Sequence, residues 1–327
     1  MRQAISICRR RMATSIASCL VLIASCSSSD TGANAPQPKT QAEAQRQPQS
    51  PPNFEQQRQT AEKQVRPEVE RERQSAKEQA DQSLDKDAIA AIAKTQSAID
   101  ALAANKKSDA LAAIEAATGK INILLARNAA AALIPVASEV DVIDTAPLDD
   151  KAIQTLDRGV TSAVKAKDYP TARLILYSLM SEIRIRDYHL PLATYPTALK
   201  DAARLLDQGK NDQASQVLLT ALNTLAVVEK VTPIPVVLAR AAITAAEEQS
   251  KKDKNAAQIL LATAKNQLQR CQELGYAADV PEYAALNSNI AQLERELKGN
   301  GDTGSLFAKL KDELSSFFNR QSAQERR

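Results

Sequence analysis

The 327-residue sequence has no tryptophan, a single histidine, only eight glycines and four cysteines, and each scarcity removes a class of chemistry. One imidazole, His189, cannot build a multi-histidine metal site. The scattered glycines leave no GxGxxG or Walker-type loop to cradle phosphate. Cys8, Cys19 and Cys26 lie at the very start of the chain and Cys271 stands alone, so neither a CxxC redox or zinc site nor an internal disulfide of the body is available. No basic stripe or patch marks a nucleic-acid partner. Nothing groups a nucleophile with a base and an orienting residue. There is therefore no reason in the sequence to expect an enzyme or a cofactor.

What the chain does have begins at its first residues. Arg2, Arg9, Arg10 and Arg11 precede an uncharged, largely apolar run from Met12 to Ser25, the order of an export signal and too short for a membrane span. Ile16-Ala17-Ser18-Cys19 and Ile23-Ala24-Ser25-Cys26 both resemble a lipobox, and only the second leaves an apolar core of normal length. Residues 1–25 are thus expected to be a lipoprotein signal peptide, with Cys26 as the lipidated (palmitate-bearing) mature N-terminus. The alternative is an ordinary cleaved signal. Several acyl chains hold a protein on a membrane where one would not. Ser27 at the following position resembles the sorting pattern for the periplasmic face of the outer membrane of a Gram-negative envelope. Loss of the four signal arginines leaves 38 basic against 39 acidic residues, a nearly neutral mature chain.

Residues 26–84 are rich in Gln, Pro and Glu, with Phe54, Val65, Val69 and Leu84 as their large apolar residues. That composition predicts a disordered tether, with a transient helix over 68–82. From residue 85 Ala and Leu recur with a period near 3.6. The sets Ala110-Ile114-Ala117-Ile121, Ala172-Leu176-Leu179-Ile183, Ala214-Leu218-Ala221-Leu225 and Ala257-Leu261-Ala264-Leu268 share one spacing, and each follows a short polar break. Ser108, Asp168, Asn211 and Asp253 or Asn255 are the expected N-caps. The fold expected over 85–298 is an all-α array of about four antiparallel helix hairpins. Ile134-Pro135-Val136 and Ile234-Pro235-Val236 suggest two related halves, and the alternation around Val140 and Val142 leaves room for one short strand pair.

The phrases "LLARNAAAALIPVASEVDVID", "RDYHLPLATYPTALKDAARLLDQGKNDQASQVLLTALNTLAVVEKVTPIPVVLARAAI" and "AKNQLQRCQELGY" resemble the YfdX family of bacterial envelope proteins over roughly residues 86–298. The resemblance implies an exported helical protein associated with acid and drug tolerance, with chaperone-like or small-molecule-binding behaviour. It implies no catalytic residues.

Two features of the body stand out. Cys271 falls on the apolar face of its repeat and reads as a core residue. The stretch from Arg184 to Pro196 gathers charge, tyrosines and the one imidazole at what reads as a helix end and loop. Either Arg184 and Arg186 complement that helix end while the tyrosines pack, or Tyr177, Arg184, Arg186, Tyr188, His189 and Tyr195 form a ligand or partner site in which His189 switches charge between about pH 5 and 7. A His189–Cys271 dyad would require neighbouring repeats to bring the two together. Finally, a Gly-rich link and amphipathic helix occupy 299–327. Leu306, Phe307, Leu310, Leu314, Phe317 and Phe318 form a face suited to docking on the body, to self-association through 306–318, or to a membrane surface. The functional expectation is a lipid-anchored stress protein holding protein clients or small amphipathic ligands; the alternative is a constitutive scaffold for one envelope protein partner.

Overall fold

The computed structural model describes residues 53–128, 130–276, 281–299 and 303–324. These residues fall within one compact unit, Ser50–Arg327. The expected signal peptide 1–25, Cys26 and the tether as far as residue 52 lie outside the described residues.

Twelve helices and three strands are described, in the order α1 (Phe54–Val65), α2 (Pro67–Ser83), α3 (Lys86–Ala103), α4 (Lys107–Arg127), β1 (Leu133–Asp144), α5 (Asp150–Lys165), α6 (Tyr169–Tyr177), β2 (Ser181–Pro191), α7 (Tyr195–Asp207), α8 (Asn211–Asn223), β3 (Ala226–Pro233), α9 (Ile234–Ser250), α10 (Lys254–Glu273), α11 (Pro281–Lys298) and α12 (Gly304–Gln324). The four expected hairpins are α3–α4, α5–α6, α7–α8 and α9–α10, each with its two helices in contact. The first, third and fourth spacing sets bury their first three members, and the first and fourth bury all four. The second set departs from the pattern. Helix α6 stops at Tyr177, so Leu176 is exposed and Ile183 reaches the core from β2.

Three of the four hairpins turn on the same kind of terminator, which recurs at the end of the fourth. Asn105, Lys167 and Gly209 each have positive φ, as does Gly275 at the end of α10. In every case the residue after it donates its N–H five residues back: Lys106 to Ala101 at 2.8 Å, Asp168 to Ala163 at 2.9 Å, Lys210 to Leu205 at 2.9 Å and Tyr276 to Cys271 at 3.1 Å. This is a Schellman ending, which satisfies otherwise orphaned carbonyls and reverses the chain. Of the expected N-caps, Asp168 accepts from the Thr171 N–H and Asp253 from Asn255 and Ala256. Ser108, Asn211 and Asn255 instead lie inside their helices, and Lys106 and Lys210 stand at the first two caps without a side-chain bond.

The strands enlarge the allowed pair into a three-stranded antiparallel sheet, ordered β1-β2-β3. Pairing runs from Leu133 opposite Pro191 to Asp144 opposite Ser181, with an irregularity between Pro135 and Ala137, and from Glu182 opposite Pro233 to His189 opposite Ala226. A strand follows each of the first three hairpins, making a helix–helix–strand unit three times over. The expected two halves are thereby corrected. Ile134-Pro135-Val136 lies in β1, whereas Ile234-Pro235-Val236 opens α9, where proline's fixed φ suits a first helical turn.

Two cores result. One gathers α3, α4, α7 and α8 with Ile134, Val136 and Leu190 of the sheet. The other gathers α1, α2 and α9–α12 with Ile183. The sheet touches both. The expected tether also needs correction, because residues 54–83 are two helices with Ala61, Val65 and Val69 in the second core. A capping box between Asn53 and Gln56 and ion pairs such as Arg58–Glu55 and Arg73–Glu70 favour the helices locally. Arg66–Asp144 and Arg240–Glu72 tie them to β1 and α9. Few apolar residues suffice when they dock on a core that other helices build. Helix α12 docks likewise, with Phe307, Leu310 and Leu314 in the second core, so those three are not free to bind a second copy or a membrane. The side chains of Phe317 and Phe318 lie outside those described.

Candidate functional site

The stretch expected to be a helix end is the central strand. In β2 Glu182, Arg184 and Arg186 alternate with Ile183 and Ile185; Arg184 pairs with Glu182 of its own strand and Arg186 pairs across the ladder, so neither serves a helix terminus. Arg186 reaches Asp141 at 2.5 Å and Glu139 at 3.6 Å across the β1–β2 ladder. Tyr188 donates its hydroxyl to Glu139 Oε2 at 3.1 Å, and burial, then that carboxylate, raise its phenol above the ordinary value. His189 Nδ1 stands 3.1 Å from the Asp187 carbonyl oxygen; an acceptor there makes Nδ1 the protonated nitrogen.

The six expected site residues do not converge. Tyr177 is exposed on α6. Tyr195, only 1 % exposed, lies in the first core and donates to Thr95 Oγ1 at 2.8 Å, joining α7 to α3; burial pushes its phenol up to about 12. The tyrosines therefore offer no common stacking surface. Cys271 is buried in the second core, where desolvation pushes its thiol up to about 12, while Tyr188 and Leu190, on either side of His189, pack with the first. No His189–Cys271 dyad forms.

The residues that do converge were missed. At the start of β2, Glu182 is buried and accepts from Arg184 at 2.5 Å through one oxygen and from the Tyr276 hydroxyl at 2.8 Å through the other. The same Tyr276 oxygen accepts the Ser181 N–H at 2.9 Å, and the Ser181 hydroxyl donates to Asp144 at 2.8 Å, which also pairs with Arg66. Farther along, Lys230 of β3 meets the buried Asp187 at 3.0 Å. This polar hub joins α1–α2, all three strands and the end of α10. Its signal in the sequence was the strict alternation of "EIRIR", a strand's period.

The body also carries two apolar features. A groove of about 790 Å³ runs along α7 and α8, with Ala198, Leu205, Val217 and Ala221 in its lining and Tyr195 at one end. The α5–α6 hairpin buries little more than Ile153, Ala163 and Ala172. Around it Leu174 is 71 % exposed and Leu148 68 %, with Val164, Tyr169, Leu176 and Tyr177 about half exposed or more. Among the described residues no cluster of three or more His, Cys, Asp or Glu could hold a metal ion, and no helix is long and apolar enough to cross a membrane.

None of the curated proteins matches the chain. Among solved structures, YfdX from Salmonella Typhi is similar at 14 % identity, covering 46 % of this chain and 93 % of that one, with a TM-score of 0.32. A likeness at that score supports no detail of arrangement. The sequence model of the YfdX family, described as YfdX protein, matches residues 91–231. That span runs from α3 to β3, the three helix–helix–strand units, and stops short of α9. Between residues 91 and 231, then, this chain carries a YfdX-family region.

Proposed function

We propose that the protein is a lipid-anchored envelope stress protein that holds unfolding clients or small amphipathic molecules, conditionally on acid. The observation that carries this reading is the α5–α6 hairpin, which concentrates six large exposed apolar side chains between Leu148 and Tyr177. Exposed apolar surface of this kind marks interaction sites. A hairpin with so small a buried face is also the element that loosens first.

Acid acts on the ion pairs between elements. Asp87 of α3 is held below its ordinary 3.8 first by its hydrogen bond from Lys120 of α4, with Arg127 adding to the effect. A depressed carboxylate contributes stability above the unfolded value and loses it as pH falls through the folded one. The helix ties made by Asp87 thus hold at neutral pH and fail below about pH 4.

On lowering the pH from about 7 to about 3, apolar-dye binding is expected to rise while far-UV helicity persists, with aggregation of a model client suppressed. Replacing Leu174 and Leu176 by serine should abolish the suppression and leave helicity intact. A flat dye response with no protection would refute conditional holding and favour a constitutive scaffold for one partner.

The proposed placement on the periplasmic face of the outer membrane is supported by the lipobox resemblance ending at Cys26 and by Ser27 after it. Cells fed labelled palmitate should label the chain and its Cys19→Ser variant, and lose the label with Cys26→Ser. Retained label in the last variant would overturn the assignment.

A further inference from the structure

A second cavity, of about 330 Å³, opens between α1, the start of α5 and α10. Apart from Leu148, Asp149 and Asp150, which close one side, its lining lies outside residues 91–231. Two polar side chains of α10 in its lining are nearly inaccessible, Arg270 at 4 % exposure and Gln267 at 1 %. Arg270 Nη2 donates to the Ala146 carbonyl at 3.0 Å, but its Nη1 has no hydrogen-bond partner among the described residues, and neither has Gln267 Oε1. Buried polar atoms almost always find partners, and leaving a guanidinium donor unmatched is costly. Here an unused donor and an unused acceptor stand three residues apart on α10, on two residues that line this cavity.

The charges in the lining narrow what would satisfy them. The carboxylate of Glu55 is paired with Arg58 at 2.6 Å, and Asp149 caps α5 by accepting the Ala152 N–H at 3.1 Å. Glu62 and Asp150 of the lining both act electrostatically on the buried Arg270 guanidinium, as do Asp144, more strongly, and Arg66 in the opposite sense. A simple anion would complement Arg270 but meet two carboxylates. A simple cation would meet Arg270. A molecule with both charges complements each: its carboxylate accepts from Arg270 Nη1, and its ammonium donates to Gln267 Oε1 and lies near Glu62 and Asp150. The volume is at the lower end of small-molecule sites, which fits a free amino acid.

From this we infer that the cavity is a binding site for a small zwitterion of the amino-acid class, read by Arg270 and Gln267. Titration calorimetry on the full chain should show glycine or L-alanine binding with a dissociation constant below about 1 mM, and acetate and methylammonium each at least tenfold more weakly. Gln267→Met keeps the side-chain length and removes the unmatched acceptor, so the variant is expected to fold with a Tm no lower than the parent and to bind the zwitterions at least tenfold more weakly. Arg270→Lys should weaken binding as well, since a point charge lacks the fork. Absence of binding by glycine and L-alanine in the parent chain, equal binding of acetate, or unchanged affinity in a folded Gln267→Met chain would each overturn the inference.

Discussion

Glu182→Ala is expected to lower the free energy of unfolding by about 3 kcal/mol, toward the low end of the range for a broken buried pair. Glu182 is buried and holds two donors, Arg184 at 2.5 Å and the Tyr276 hydroxyl at 2.8 Å, so its removal strands a guanidinium and a phenol together. Arg184 keeps about a quarter of its side chain in contact with water, which relieves part of its loss. Tyr276 has less relief; burial, foremost, already raises its phenol above the ordinary range, so it remains a neutral donor at any pH where the protein folds. Urea unfolding of Glu182→Ala, Tyr276→Phe and the double variant would separate the contributions. Tyr276→Phe alone is expected to cost about 1 kcal/mol, and the two changes together less than their sum, because the second removes a donor the first had orphaned. A loss under about 1 kcal/mol for Glu182→Ala would mean that water enters the hub freely, and its role in joining α10 to the sheet would have to be abandoned.

The second large effect concerns the C-terminal helix. Phe307 is fully buried, and α12 contacts α9, α11 and β3. Phe307→Ala should cost about 3–5 kcal/mol through lost transfer energy and the cavity left behind. The damage is expected to be local first: chymotryptic cleavage within α12 should accelerate while α9–α10 stays protected. Ser305→Ala, an exposed change just before it in the same helix, should shift stability by less than about 0.5 kcal/mol. Equal behaviour of the two variants would show that α12 does not depend on the second core.

These two positions also mark the limit of what can be read from the chain alone. Phe307, Leu310 and Leu314 announce their face by spacing, and the same arithmetic locates Ala110, Ala214 and Ala257 and the core position of Cys271. Periodicity reports which side of a helix is apolar, and a buried side chain obeys it. It does not report what a polar residue will meet. Glu182 and Tyr276 are 94 residues apart, and only the fold, which sets the turn after α10 beside the start of β2, makes them partners. The strand itself was legible in "EIRIR" but was obscured by the aromatic and proline-rich sequence after it, which reads as a loop. Residues 54–83 failed for a different reason. Their composition is that of a chain unable to fold by itself, and it folds because α9 and α10 supply the apolar surface it lacks.

Strand β2 sets a length. Ile183 is fixed in one core and Leu190 in the other, seven residues along an extended chain, or about 23 Å at roughly 3.3 Å per residue. The strand is therefore a strut whose two feet stand in different helical bodies, and its backbone hydrogen bonds to β1 and β3 keep it from bending. If one body opens, the other still grips its foot and holds the register of the sheet, so the opened body has a template on which to close again. A protein built this way can yield at one end repeatedly without losing its place.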